Sequence, residues 1–308
     1  MRRPGLSPKS SRMKRNNLLF VSARFPFPAD CGGKIRTRDI LRGMKGGRFE
    51  IALASPQPPD GSRRFAEELR RVCDRFVGWP ETARGLLWTV ARCMSLLSQF
   101  PLAVATDRSD AGRGVLATEL ARGADLVVAD FPHSTVLLPA RLSSPSVLFT
   151  HNVEAEIFRR HAAVASSSFH RAVWESQGRK MQRFEDDAAR RFGAVVTVSE
   201  RDYVIPLRVG GGTRIKAYEA MAAGCPVVST TIGVEGLPVV PDRDCLIGDT
   251  AEAFGVAVLR LLDDAGARRT LARSARHLVE HRFSAKAAAA VFEGACLRAA
   301  AMAERAAA

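Results

Sequence analysis

The segment RVGGGTRIKAYEAMAAGCPVVST, residues 208–230, has the order of one unit of a parallel α/β sheet. A triple glycine precedes a predicted helix over 214–223, and an apolar strand is predicted over 226–230. Glycine lets the backbone approach a ligand closely, and the free N–H groups at the start of a helix attract anions. The segment therefore indicates a site for a phosphate-bearing ligand.

Polar side chains follow the triple glycine closely. Gly212 and Thr213 are succeeded by Arg214 and Lys216, so that N–H groups, a hydroxyl and two cations meet where a diphosphate could bind. Glu219 lies three residues after Lys216 on the same helix face. Either it accepts hydrogen bonds from the two hydroxyls of a ribose, or it forms a surface ion pair with Lys216.

The rest of the chain alternates between predicted strands and helices, which indicates a parallel, doubly wound sheet. Strands are predicted at 17–23, 49–55, 124–130, 145–150, 193–199, 204–207, 226–230 and 244–249. Helices are predicted at 34–44, 63–76, 84–99, 154–192 with a break near 165–168, 214–223, 251–263, 266–281 and 284–303. Ligands of such sheets bind at the carboxyl ends of the strands.

Two further groups of residues fall at strand ends. Gly32 and Gly33 follow the first strand and begin a helix, where they form either a ligand loop or a simple turn. His151 follows the predicted strand at 145–150, and it either contacts a ligand or, with Asn152, caps the next helix. Glu154 is expected to complement the dipole of that helix from its first turn.

Charge and cysteine content narrow the class of protein. A net charge of +14 fits a basic surface or an anionic partner, but no nucleic-acid-binding signature accompanies it. The six cysteines form no CxxC pair, and no apolar run is long enough to span a membrane. Residues 1–16 are predicted to be a disordered basic tail. The stretch 84–100 either packs on the sheet or docks on a membrane interface.

Three segments together resemble the retaining glycosyltransferases of family 4, which have the GT-B fold. These segments are FPFPADCGGKIR, THNVEAEIF and PLRVGGGTRIKAYEAMAAGCPVVSTTIGVEGL. The resemblance implies an N-terminal Rossmann-like, acceptor-side domain over 17–203. It also implies a nucleotide-sugar (donor-side) domain over 204–308 that includes the terminal helices.

The resemblance also implies roles for individual residues. Gly32 and Gly33 match the glycine loop beside the donor phosphates and the acceptor, and His151 matches a catalytic cleft histidine that contacts the transferred sugar. Gly212 and Thr213 match backbone donors to the diphosphate, close to Arg214 and Lys216. Glu219 matches the second glutamate of a Glu-x7-Glu motif, whose first position is occupied here by Gly211.

The resemblance is interrupted between Tyr203 and Val204. Family members continue there with roughly 100 residues that form three strand–helix units, including an Arg/Lys pair that neutralises the leaving diphosphate. The second domain is therefore expected to be partial, with strands that lack neighbours and expose apolar surface. The chain is either a glycosyltransferase or a catalytically impaired remnant of one.

The implied reaction moves a sugar from a nucleotide-diphosphate sugar to a hydroxyl acceptor, a glycan or a lipid-linked glycan, with retention, in polysaccharide synthesis. No metal or other cofactor is expected, because no DxD-like carboxylate pair lies near the donor loop. The expected location is the cytoplasm, either free or in peripheral contact with the inner face of a membrane. No specific nucleic-acid partner is expected.

Overall fold

The computed structural model describes residues 15–81, 98–150, 153–197 and 215–307. The strands are β1 (Asn16–Ser22), β2 (Phe49–Gln57), β3 (Arg75–Pro80), β4 (Leu126–Asp130), β5 (Ser146–Thr150), β6 (Ala194–Thr197), β7 (Val228–Ser229) and β8 (Leu246–Ile247). The α-helices are α1 (Gly32–Met44), α2 (Gly61–Arg64), α3 (Ala66–Val72), α4 (Leu102–Ala105), α5 (Asp110–Ala121), α6 (Glu154–Ala163), α7 (Ser168–Arg191), α8 (Ile215–Ala222), α9 (Ala251–Asp263), α10 (Ala265–Arg282) and α11 (Ala285–Ala307). Short 3-10 helices span Pro132–Leu137 and Ile232–Val234.

Strands β1 to β6 form one parallel sheet in the order β3-β2-β1-β4-β5-β6. The central strands are continuous apolar runs whose side chains are buried, as expected where helices cover both faces. This is the strand order of a doubly wound, Rossmann-like sheet. The strands are added on one side of β1 up to β3 and then on its other side from β4 onward, so the switch point of the sheet lies between β1 and β4. The predicted α/β class, consistent with a GT-B-like fold, is confirmed.

Different helices cover the two faces of the six-stranded sheet. One face packs on α1, α3 and α11, and its core includes Phe20, Leu53, Leu41 and Phe292. The other face packs on α5, α7 and the 3-10 helix after β4, and its core includes Val21, Trp79, Leu116 and Ala188. Both faces are therefore buried, and the ends of the strands are left to form sites.

The last helix, α11, belongs to the core of the first sheet. Phe292 and Cys296 are buried against it, and the Glu293 carboxylate accepts a hydrogen bond from the backbone N–H of Arg48 at 2.8 Å. Helix α11, which was expected to belong to the second domain, thus packs on the sheet of residues 16–197. Helix α10 instead packs against α8 through Ala275 and Val279.

Residues 215–284 form a small sheet and the helices that pack around it. Strands β7 and β8 pair in parallel over only two residues each. Helix α9 turns Ala257 and Leu261 inward but exposes Val256, Leu259 and Leu262 by 66%, 57% and 65%. The predicted strand at 204–207 lies outside the described residues.

Two sequence expectations are wrong in detail. The predicted helix at 63–76 ends at Val72, since Arg75–Pro80 pairs with β2 as an edge strand. The predicted tail 1–16 extends too far, because β1 begins at Asn16 and the Arg15 guanidinium binds Asp74 and the carbonyl of Gly47.

Most of the predicted helix at 84–99 falls outside the described residues. The expected break in the long helix is confirmed between α6 and α7. In the described ranges, none of the helices combines the length and apolarity needed to cross a membrane.

Candidate functional site

A cavity of about 590 Å³ opens at the carboxyl ends of β1, β2 and β3. The chain leaving β1 contributes Ala23 and Arg24, and the start of α1 contributes Cys31 and Lys34. The opposite wall is formed by the end of β3 and by the turn after α4, which carries Asp107. The cavity therefore lies at the sheet edge where ligands of doubly wound folds bind.

The predicted glycine loop forms part of this edge. Helix α1 begins at Gly32, and the side chain of its N-cap residue, Cys31, makes no capping hydrogen bond. The first N–H groups of a helix have no partner within it, so this end is suited to a ligand acceptor. Gly33 has a second structural role, because a Cβ there would lie 2.9 Å from Cζ of Phe131.

Phe131 is the residue directly after β4, and its backbone has φ of 65° and ψ of 152°. Few non-glycine residues adopt a positive φ, and such conformations concentrate at functional sites. The ring of Phe131 lies against Gly33 and thus fills the space at the start of α1. Packing against this ring is sufficient to explain the glycine at position 33.

A buried carboxylate joins the elements that meet at the switch point. Oδ2 of Asp130, at the end of β4, accepts hydrogen bonds from Ser22 Oγ at 3.1 Å and from Thr37 Oγ1 at 2.9 Å. Ser134 Oγ accepts from the N–H of Ala23 at 2.9 Å and donates to the carbonyl of Asp130. These bonds fix β1, β4 and α1 relative to one another.

His133 lies in the 3-10 helix after β4 and binds two carboxylates. Its Nδ1 is 2.7 Å from Asp107 Oδ2, and its Nε2 is 2.9 Å from Glu154 Oε2. Since ionised carboxylates only accept, both ring nitrogens must donate, and the ring is an imidazolium. Burial by itself lowers the pKa of His133, but the bonds to the two carboxylates outweigh it and raise the pKa to about 9.

Glu185 of α7 supplies a third carboxylate to this network. It accepts hydrogen bonds from the N–H groups of Glu154 at 2.7 Å and of Ala155 at 3.3 Å, at the start of α6. Burial raises the pKa of Glu185 to about 7. Glu154 begins α6 as predicted, but its carboxylate binds His133, and it is Glu185 that interacts with the helix terminus.

Asp107 and His133 are not among the site residues that the sequence patterns predict. His133 could have been found by the reasoning applied to His151, because it too follows closely on a buried parallel strand. Asp107 has no comparable sequence signal, since it lies in a turn between two helices and approaches His133 only in the fold.

Several predicted site residues fall outside the described residues: His151, Gly212, Thr213 and Arg214. Lys216 and Glu219 lie in α8, whose backbone is described while their side chains are not. Gly32 and Gly33 lie at the start of α1, between Cys31 and Lys34, which line the cavity. The role of each of these residues in binding stays a prediction.

Residues 201–264 match the family described as glycosyl transferases group 1. The matched segment contains the whole glycine-rich stretch 208–230, and it covers about one fifth of the chain. This match supports a glycosyltransferase function. A search of curated proteins finds no significant match. Glycosyltransferases in general bind both a donor and an acceptor.

Proposed function

We propose that this protein transfers a sugar from a nucleotide-diphosphate sugar to a hydroxyl acceptor with retention of anomeric configuration. The observation that carries the proposal is the match of residues 201–264 to glycosyl transferases group 1. The doubly wound sheet and the cavity at its carboxyl edge are compatible with it, since such edges hold ligands in α/β folds.

In this proposal the donor lies between the start of α1 and the start of α8. Gly32, Gly33, Gly212 and Thr213 offer backbone N–H groups to the diphosphate, and Glu219 holds the ribose. Arg214 and Lys216 stabilise the charge that develops on the leaving diphosphate, which is a large term in group transfer. His151 contacts the transferred sugar.

The reaction needs no protein nucleophile in this scheme. The bond from the anomeric carbon to the leaving phosphate oxygen breaks as the acceptor oxygen forms its bond on the same face, and the hydroxyl proton passes to the departing phosphate. Donor, acceptor and cations suffice, and we propose that no metal or other cofactor takes part. The proposed setting is polysaccharide synthesis in the cytoplasm, with peripheral membrane contact when the acceptor is lipid-linked.

Calorimetric titration of the folded, monodisperse protein with several UDP- and GDP-sugars tests the proposal. Binding of at least one sugar nucleotide, with turnover in the presence of a hydroxyl acceptor, is the expected result. A complete absence of binding would refute the enzymatic function.

A second candidate is a catalytically impaired remnant, and the small sheet of β7 and β8 favours it. Within the described residues, the first sheet has six strands and this one has two. Sequencing the gene across the codons for Tyr203 and Val204 in several isolates tests this candidate. An insertion of roughly 100 codons in sister isolates supports a loss of coding sequence, whereas uninterrupted agreement together with donor turnover contradicts it.

A further inference from the structure

The turn after α4 places a carboxylate on the wall of the cavity in a fixed orientation. Asp107 lines the cavity, and its side chain is 16% exposed. One oxygen, Oδ2, is held by His133 Nδ1 at 2.7 Å. An ionised carboxylate has about four lone-pair sites, so Asp107 retains the capacity to accept further hydrogen bonds from a ligand.

We propose that Asp107 binds a hydroxyl group of a neutral saccharide in this cavity, and that His133 and Glu154 position its carboxylate. The inference rests on the proposed function for the identity of that saccharide as the acceptor. Asp107 is the binding residue, whereas His133 and Glu154 act through it as positioning residues.

The orientation of Asp107 depends on a chain of buried contacts. His133 is 3% exposed and binds Glu154 Oε2 at 2.9 Å through its second ring nitrogen. Glu154 in turn has its N–H bound by Glu185 at 2.7 Å. A carboxylate held in this way accepts a ligand hydroxyl without reorganising, and fixed geometry of that kind is what a precise binding site requires.

The charges around the cavity favour a neutral ligand over an anionic one. Carboxylates of Asp30, Glu81 and Asp107 line it, against the cations of Arg24 and Lys34. Lys34 already pairs with Asp30 at 3.1 Å. A ligand that binds Asp107 meets a carboxylate, so an anion is disfavoured at that position, whereas a saccharide hydroxyl donates to the carboxylate in a charge-assisted hydrogen bond.

Aromatic side chains supply an apolar part of the cavity lining. Phe25, Phe27 and Trp79 contribute to the lining. A sugar ring has apolar C–H faces as well as hydroxyls, and ligand sites combine such apolar walls with a few placed polar groups. Carboxylates and aromatic rings together fit a saccharide better than a wholly polar or a wholly apolar molecule.

Saturation-transfer NMR with cellobiose, maltotriose and chitobiose, and with glucose 1-phosphate as the anionic probe, tests the proposal directly. We expect a neutral saccharide to bind, and Asp107→Asn to weaken its affinity by roughly tenfold to a hundredfold through loss of a charged acceptor. Asp110→Asn is the matched control, because Asp110 lies nearby on α5 and is 97% exposed. Binding of glucose 1-phosphate alone, or equal saccharide affinity in Asp107→Asn, would overturn the proposal.

The positioning role is tested with His133→Gln. The control is His170→Gln, because His170 is an exposed histidine. We expect His133→Gln to weaken saccharide affinity by roughly tenfold while sugar-nucleotide affinity stays unchanged. If both affinities fall together, His133 supports the fold as a whole and the positioning role is wrong. Asp107→Asn keeps the proposal testable even if His133→Gln fails to fold.

The two proposals fail in distinguishable ways. Saccharide binding that depends on Asp107 without any sugar-nucleotide binding refutes the transferase and leaves a saccharide site. Sugar-nucleotide binding with saccharide affinity that is independent of Asp107 refutes this inference alone.

Discussion

Phe149 of β5 and Phe292 of α11 meet edge to face, with their ring centroids 4.6 Å apart. Both side chains are buried, so a residue near the end of the chain completes the core of a sheet that is built from residues 16–197. Aromatic pairs in this geometry contribute beyond the area that they bury. The last helix therefore contributes to the core of the first sheet.

Replacing Phe292 by alanine should lower the free energy of unfolding by about 3–5 kcal/mol, the usual cost of removing a buried phenylalanine. Urea denaturation followed by circular dichroism measures it. Val291→Ala is the matched control, because Val291 is 70% exposed on the same helix and should change stability little. Equal effects of the two substitutions would mean that α11 does not contribute to this core.

Gly33→Ala should destabilise the protein by about 1–3 kcal/mol, since the added Cβ would overlap the ring of Phe131. Gly114→Ala, at a helix position with open space around it, should instead stabilise by about 0.5–1 kcal/mol. Thermal unfolding of both variants measures the difference.

The double variant Gly33→Ala, Phe131→Ala separates packing from ligand contact. If Gly33 is needed only to leave space for the Phe131 ring, the added methyl group no longer lowers stability when Phe131 is alanine, and sugar-nucleotide affinity is unchanged. If the backbone of Gly33 approaches the donor, affinity stays reduced in the double variant. Calorimetry on the four proteins of the cycle gives the answer.

Stability should fall as the pH rises from about 6.5 to about 9. The pKa of His133 is raised from 6.5 to about 9 in the folded protein, so its stabilisation is fully present below pH 6.5 and is lost as the pH passes through 9. The loss is on the order of 3 kcal/mol. Urea unfolding at several pH values measures it, and an unchanged pH slope in His133→Gln would contradict the assignment.

Glu185 should extend the fall of stability with rising pH to the range between about 4.5 and about 7. Burial raises its pKa from 4.5 to about 7, so the folded protein holds a proton that the unfolded chain has released, and stability falls as the pH rises across that range. In Glu185→Gln this part of the pH dependence should disappear. An identical profile between pH 4.5 and 7 would show that Glu185 ionises normally.

Glu219→Ala should weaken sugar-nucleotide binding by about 1–3 kcal/mol through the loss of charged hydrogen bonds to the ribose. Calorimetry with the best sugar nucleotide measures the change. Glu280→Ala is the control, because Glu280 is exposed on α10 and pairs with Arg276. Unchanged affinity in Glu219→Ala would refute the ribose role and favour the surface ion pair.

The sequence predicted five of the six strands of the main sheet because each is an apolar run. Strand β3 was missed, since Arg75–Pro80 includes a glycine and a proline and its pairing with β2 is what makes it a strand. Helix α5 was not predicted either. It contains Gly112 and Gly114, which weaken a helical pattern, and Gly112 is required by contact with Trp79.

The candidate site was only partly visible in the sequence. Gly32 and Gly33 could be placed at the carboxyl edge, because a glycine pair directly after a strand can be recognised from the neighbouring sequence alone. The Asp107–His133–Glu154 network could not, since it joins three separate segments whose proximity is set by the strand order. Local pattern predicts elements, whereas a network of buried charges is specified by tertiary packing.

The position of α11 also has a consequence for synthesis of the protein. Strands β1 to β6 leave the ribosome long before residues 285–299, which cover one face of their sheet. N-terminal domains generally fold first during translation, but here the part of that face that α11 covers stays exposed until residues 285–299 have been made. We infer that the nascent chain is more prone to aggregation in this interval than after α11 has packed on the sheet.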